Sequence, residues 1–142
     1  MTTTRNAKAH WEGSLQEGKG QVTLESSGLG TYDVTWASRS EEPNGRTSPE
    51  ELIAAAHASC FSMALSHALA GAGNEAQAID TSAEVDFKPG VGITEIRLSV
   101  RAKVDGLSNE KFVEAAQEAK TGCPVSQALA GTTITLDAAL AD

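Results

Sequence analysis

Aromatic side chains are scarce in this chain, at 4% of its residues, and proline stands at only four positions. A core short of bulky rings has to be filled by small and branched aliphatic side chains, and such cores suit close backbone packing, helix against helix or subunit against subunit. Cations are also few, 11 Lys and Arg against 19 Asp and Glu, for a net charge of −8. An acidic surface repels phosphate backbones and anionic headgroups, which argues against nucleic-acid or membrane-surface partners. No uninterrupted apolar run reaches the length that spans a bilayer. The opening Met1-Thr2-Thr3-Thr4-Arg5 lacks the apolar segment of a secretory signal. A cytoplasmic location is therefore expected, and there the two cysteines are a redox pair or two bystanders rather than a permanent staple. With 142 residues, 40% of them hydrophobic, the chain suits one domain spanning 1–142 and is too short for two ordinary ones.

Punctuation and periodicity predict the elements. Residues 7 to about 37 read as strands, with Val22 and Leu24, then Tyr32, Val34 and Trp36, alternating with polar neighbours, and Gly18, Gly20, Gly28 and Gly30 as hairpin turns. A polar loop follows from Ser38 to Arg46. Ser48, Pro49 and Glu51 then form a capping box with proline at the first helical position. From there Leu52, Ala56, Cys60, Ala64 and Ala68 make one row at i, i+4, and Ile53, His57, Phe61, Leu65 and Leu69 the adjacent one. This long, Ala-rich helix reads as the centre of the fold and ends near Gly71. Strands are predicted around Ala83, Val85 and Phe87 and from Ile96 to Val104, the second with one wet face. A helix from Ser108 to Gly122, stapled by Leu107 and Phe112, precedes a short helical turn from Pro124 and a last strand through Ile134, Leu136 and Ala138. The class is α+β with a mostly antiparallel sheet.

Few residues can carry chemistry. Cys60, mid-row on the long helix, taken by itself reads as a small buried hydrophobe. Cys123 lies between the glycine that ends one helix and the proline that starts the next turn, where unpaired N–H groups and the helix dipole favour a thiolate, although a chance cap residue explains it as well. The two stand sixty-three positions apart, and spacing alone does not bring them together. A reactive thiol needs a positive donor beside it, and Arg39 or Arg46, both in the loop before the helix, can serve or can be solvated surface charge. Glu51 has the capping role, which leaves Glu50 spare or explained by the helix dipole. His57, one turn before Cys60, raises the alternative of a Cys/His thiol hydrolase, though neighbours on one helix surface seldom align for proton transfer. The scattered histidines His10, His57 and His67 and the lack of Cys-x-x-Cys give no metal site, and no glycine-rich phosphate fingerprint is present.

The run Arg46-Thr-Ser-Pro-Glu-Glu-Leu-Ile-Ala-Ala-Ala-His-Ala-Ser-Cys-Phe-Ser-Met-Ala-Leu65 resembles the helix motif of the osmotically inducible protein C / organic hydroperoxide resistance family. So does Gly122-Cys-Pro-Val-Ser-Gln-Ala-Leu129, while His10-Trp-Glu-Gly13 and Ile134-Thr-Leu-Asp137 resemble its osmotically inducible branch. The resemblance spans nearly the whole chain. It implies an OsmC-like fold, antiparallel sheets wrapped around long central helices in an intertwined homodimer. It also implies a thiol peroxidase of stress defence, acting on organic hydroperoxides and less well on hydrogen peroxide. By motif position Cys60 is peroxidatic, Cys123 resolving, and Arg39 and Glu50 are the active-site arginine and its partner carboxylate. No bound cofactor is implied; the reductant would be a dithiol, a lipoylated protein above all. A non-catalytic binding protein of the same fold is the alternative outside enzymes. On one straight helix Glu50 and Cys60 are about 15 Å apart, at about 1.5 Å per residue. The expectation is that Arg39 and Glu50 reach the thiol of the other subunit.

Overall fold

In the computed structural model, which describes residues 1–141, contacts gather into two units, Met1–Leu52 and Ile53–Asp142. In the first, β1 (Ala7–Glu12), β2 (Lys19–Leu24) and β3 (Gly30–Val34) form an antiparallel sheet in the order β1-β2-β3. Gly20, expected in a turn, lies inside β2 opposite Trp11. A Cβ at Gly20 would come within 2.6 Å of the indole ring, so the glycine is there to let the ring lie across the strand. Trp36, expected to continue the third strand, instead opens the one-turn helix α1 (Trp36–Ser40). The Thr35 hydroxyl accepts the Ser38 N–H and the Ser38 hydroxyl accepts the Thr35 N–H, each at 3.0 Å, and this reciprocal cap overrides the alternation. Arg39 therefore sits on a helix rather than in a loop. A turn at Asn44 (φ 48°) and Gly45 (φ 79°) returns the chain to Thr47, which bridges to Val34.

Helix α2 (Pro49–Gly71) starts where the proline and cap predict. The Ser48 hydroxyl accepts the Glu51 N–H at 3.1 Å, while the Glu51 carboxylate accepts from the Thr47 hydroxyl and not from the cap backbone. Of the two apolar rows, the one containing His57, Phe61, Leu65 and Leu69 is buried; in the other, Cys60 and Ala64 are half-buried and Ala56 and Ala68 exposed. The absence of a membrane-length apolar segment does not hold for this helix. By length and composition α2 is apolar enough to cross a bilayer, although only 22% of its most apolar stretch is buried within the chain. Its serines and histidines interrupt the apolar run, but no charged side chain occurs from Leu52 to Asn74.

In the second unit β4 (Ala78–Lys88) and β5 (Gly92–Lys103) pair antiparallel, with a register shift at Asp86/Phe87. The last strand, β6 (Thr133–Leu140), runs parallel to β5, so the sheet order is β4-β5-β6 and the sheet is mixed. A parallel neighbour requires a crossover, supplied by α3 (Asn109–Gly122) and α4 (Pro124–Ala128). Ser108 caps α3 by accepting the Lys111 N–H at 3.2 Å. One face of β5, Ile96, Leu98, Val100 and Ala102, is buried, and from Leu98 onward it belongs to one core with Phe61, Leu65 and Leu69 of α2 and Phe112, Ala116 and Ala119 of α3. The other face carries Arg97, bonded to Glu84, Asp86 and Glu95, and Arg101, bonded to Asp137. These bonds hold the Asp86 carboxyl below its ordinary range, chiefly through the Arg97 hydrogen bond. Phe112 is fully buried in the core, so Phe112→Ala should lower stability to chemical denaturation by about 3–5 kcal/mol, and a loss under about 1 kcal/mol would contradict this packing.

Candidate active site

Two pairs of predicted site residues are brought together, each within one unit. In Ile53–Asp142, the Cys60 and Cys123 sulfurs lie 3.0 Å apart as hydrogen-bonded free thiols, without a disulfide. Cys60 comes from the half-buried shoulder of α2, and Cys123 is fully buried where α3 ends and α4 begins. That junction makes Cys123 both the last cap of one helix and the first of another. Its own N–H closes α3 on the Ala119 carbonyl at 2.9 Å, and its carbonyl opens α4 by accepting the Gln127 N–H at 3.0 Å.

The two thiols do not share one environment. Burial raises Cys123, but hydrogen bonding from Cys60, the Ser126 amide and hydroxyl, and the Val125 amide outweighs it and lowers the thiol below its ordinary value. Both amides belong to the first turn of α4, whose dipole favours the same anion. Burial raises Cys60, and the hydrogen bond and charge of Cys123 raise it further, against one favourable amide at Val125. Within this unit the surroundings favour the anion more at Cys123 than at Cys60.

In Met1–Leu52, Arg39 and Glu50 form a two-pronged ion pair. Arg39 Nε donates to Glu50 Oε1 at 3.0 Å and Nη2 donates to Oε2 at 2.9 Å. Glu50 is buried and Arg39 keeps 31% of its side-chain exposure, so the carboxylate braces a guanidinium that solvent still reaches. The residues alone left Arg39 and Arg46 both open and the family resemblance pointed to Arg39; the partner of Glu50 is Arg39. Ser38, 2.9 Å from the Thr47 carbonyl, ties α1 to the segment before α2 and so places Arg39. The cleft lined by His10, Lys19, Gln21, Asp33 and Arg46 is also in this unit and contains neither thiol.

His57 does not face Cys60 as a hydrolase base would. It is fully buried, its Nε2 lies 2.7 Å from the Ser126 hydroxyl, and its Nδ1 has no hydrogen-bond partner among the described residues. Ser126 is the functional candidate that sequence reasoning passed over, and its signal was present. In Cys123-Pro-Val-Ser126 the serine stands three residues after a cap residue, where a polar side chain reaches back to the helix start. Among the described residues no group of three or more His, Cys, Asp or Glu side chains could hold a metal ion.

Burial lowers His57 from its ordinary value of 6.5. A depressed histidine stays neutral in the folded chain while the unfolded chain takes up a proton, so its contribution is intact above pH 6.5 and is lost as pH falls below it. Stability should decline from there downward by at most about 1.4 kcal/mol per pH unit through this group. Denaturation of wild type and His57→Gln at a series of pH values checks this; parallel slopes in the two would refute it.

A family model described as OsmC-like protein matches residues 42–137. The chain is 46% identical over 140 residues to Peroxiredoxin OsmC of Escherichia coli (strain K12), covering 96% of each chain. Among solved structures it is similar to an OsmC-like protein from Mycoplasma pneumoniae, with a TM-score of 0.75, 13% identity and full coverage of both chains. It is also similar to the organic hydroperoxide resistance protein OhrB of Bacillus subtilis, with a TM-score of 0.67, 26% identity and coverage of 96% of this chain and 98% of that one.

Proposed function

We propose that this chain, which belongs to the OsmC-like protein family, is a thiol-dependent peroxidase that reduces organic hydroperoxides to alcohols. The observation that carries this reading is the pair of free sulfurs 3.0 Å apart, one half-buried and one fully buried. A peroxide has to reach the attacking sulfur, which suits Cys60. The resolving sulfur needs only to reach the oxidised one, which suits Cys123. The peroxiredoxin name of the Escherichia coli relative and the organic-hydroperoxide-resistance name of the Bacillus subtilis structure support the same chemistry.

The Cys60 thiolate attacks the distal peroxide oxygen, the O–O bond breaks, and the alkoxide leaves and takes a proton as alcohol. Cys60 is now a sulfenic acid. The Cys123 sulfur attacks it, a disulfide forms and water leaves; a dithiol, such as a lipoylated protein, restores both thiols by exchange. Hydrogen peroxide, lacking an organic group to bind, is the poorer substrate. The working form is one OsmC-like domain in a cytoplasmic homodimer serving oxidative and osmotic stress defence.

The dimer solves an electrostatic difficulty. Burial and Cys123 raise the Cys60 thiol, whereas a peroxidatic sulfur has to be an anion. A cation must therefore be brought to it, and Arg39 of the partner subunit, braced by Glu50, is the one we assign to that work. The unbroken run of α2 from Pro49 to Gly71 and its exposed apolar surface, including Met63 at 71% exposure, support a two-subunit site.

Adding about one equivalent of cumene hydroperoxide should remove both free thiols per chain, and Cys60→Ser should abolish peroxide consumption. Continued consumption by Cys60→Ser would refute the reading. Arg39→Ala should slow peroxide reduction on the order of a hundredfold by removing a charge that stabilises the breaking O–O bond. Mixing Cys60→Ser with Arg39→Ala subunits and allowing exchange should restore one competent site per mixed dimer. A mixture as inactive as its parents would place Arg39 and Cys60 of one site on the same subunit.

A further inference from the structure

We infer that Ser126, held by His57, is a positioning pair that directs a hydroxyl hydrogen bond onto the Cys123 sulfur and readies it to attack oxidised Cys60. This rests on the two-cysteine reading above and assigns the resolving half of the cycle its own machinery.

The argument begins with a proton count. His57 has one ring nitrogen against the Ser126 hydroxyl at 2.7 Å and the other buried without a partner. A neutral imidazole carries one N–H. Placed on Nδ1, that hydrogen would be an orphaned donor in the core; placed on Nε2, it is bonded and leaves only a bare lone pair. The second arrangement is favoured because buried orphan N–H groups are rarer than under-satisfied acceptors. Nε2–H therefore donates to Ser126 Oγ, and the serine's single hydrogen is left to point elsewhere. Ser126 is itself 5% exposed and stands in the first turn of α4, three residues after the cap residue Cys123. The Cys123 sulfur, at the start of the same helical turn, is the acceptor we assign to it, and hydrogen bonding from the Ser126 hydroxyl and amide is among the causes that lower this thiol.

All members of this chain come from different turns of the same unit. His57 rises from α2 one turn before Cys60, Ser126 sits on the first turn of α4, and Cys123 caps that helix. The titratable groups facing Cys123 are Cys60 and, through the serine, His57. A hydrogen bond from Ser126 favours the anion at Cys123 and fixes its lone pairs relative to Cys60. In the resolving step the Cys123 electron pair forms the S–S bond, the S–O bond of the sulfenic acid breaks, and the departing hydroxide takes the proton that Cys123 relinquished. No proton accumulates on His57, which fits a ring that burial keeps neutral. His57 and Ser126 are thus positioning residues; neither touches the peroxide.

Two readouts separate this role from mere packing. In full-length Cys60→Ser protein, where Cys123 is the one thiol, the ultraviolet absorbance of the thiolate followed against pH gives its titration midpoint without any peroxide. Ser126→Ala should move that midpoint up, and Ser126→Thr, which keeps the hydroxyl, should restore it. In the two-cysteine protein, stopped-flow after one equivalent of hydroperoxide separates sulfenic-acid formation from the slower first-order disulfide step. Ser126→Ala should slow the second step on the order of tenfold and leave the first within about twofold. His57→Phe should do the same, His57→Gln should retain most of the rate, and Ser126→Ala with His57→Phe together should be no worse than Ser126→Ala alone. An unchanged midpoint and disulfide rate in folded Ser126→Ala would overturn the proposal. Equal losses in His57→Phe and His57→Gln would remove His57 from it. Should wild type not consume peroxide, the peroxidase reading fails, while the titration still decides whether the pair governs Cys123.

Discussion

The burial of one row of α2 in the core shared with β5 and α3 is the constraint from which the thiol site follows. Phe61, Leu65 and Leu69 are sealed, and they fix the rotation of the helix about its axis. Once that rotation is set, Cys60, beside Phe61 in sequence, can lie only at the shoulder of the buried face, half covered. The same core holds Phe112, Ala116 and Ala119 of α3, which sets where α3 ends and hence where Cys123 begins α4. Two sulfurs sixty-three residues apart meet because both are anchored to one block of aliphatic packing. The covalent chemistry depends on a hydrophobic decision made elsewhere.

Much of this was legible in the sequence where the signal was local. Ser48-Pro49 located the start of α2 and Ser108 that of α3, because a cap is a bargain between neighbours a few residues apart. Cys123 was identifiable as a helix-initiating thiol for the same reason. What could not be read was non-local. Nothing in the alternation of Ile134, Leu136 and Ala138 tells whether the strand lies parallel or antiparallel to its neighbour, since period two is common to both. The meeting of His57 with Ser126 depends on how α2 packs against the α3–α4 corner, which no motif states.

Two misreadings are more instructive, since the signal was there and was outweighed. Trp36 fitted the strand alternation, yet a reciprocal Thr35–Ser38 cap turned the chain into a helix. Serine in the place usually held by Glu or Gln disguised the motif. Gly20 resembled turn punctuation, but its lack of a side chain accommodates the ring of Trp11 across the sheet. In each case a specific pairwise contact overrode a statistical tendency. The long helix misled in the opposite sense, because serines and histidines hid the complete lack of charge from Leu52 to Asn74.

The unequal burial of the two sulfurs also fixes the direction in which a disulfide between them would be undone. An incoming dithiol can contact only the sulfur that solvent reaches, so the mixed disulfide forms on Cys60 and Cys123 departs. Thiols of low pKa are the better leaving groups in such exchanges, and the amides at the start of α4 favour the Cys123 anion. Regeneration in the proposed cycle would thus be regioselective. On the proposed cycle, the helix junction that hides Cys123 from solvent would make it the nucleophile of the closing step and the nucleofuge of the opening one.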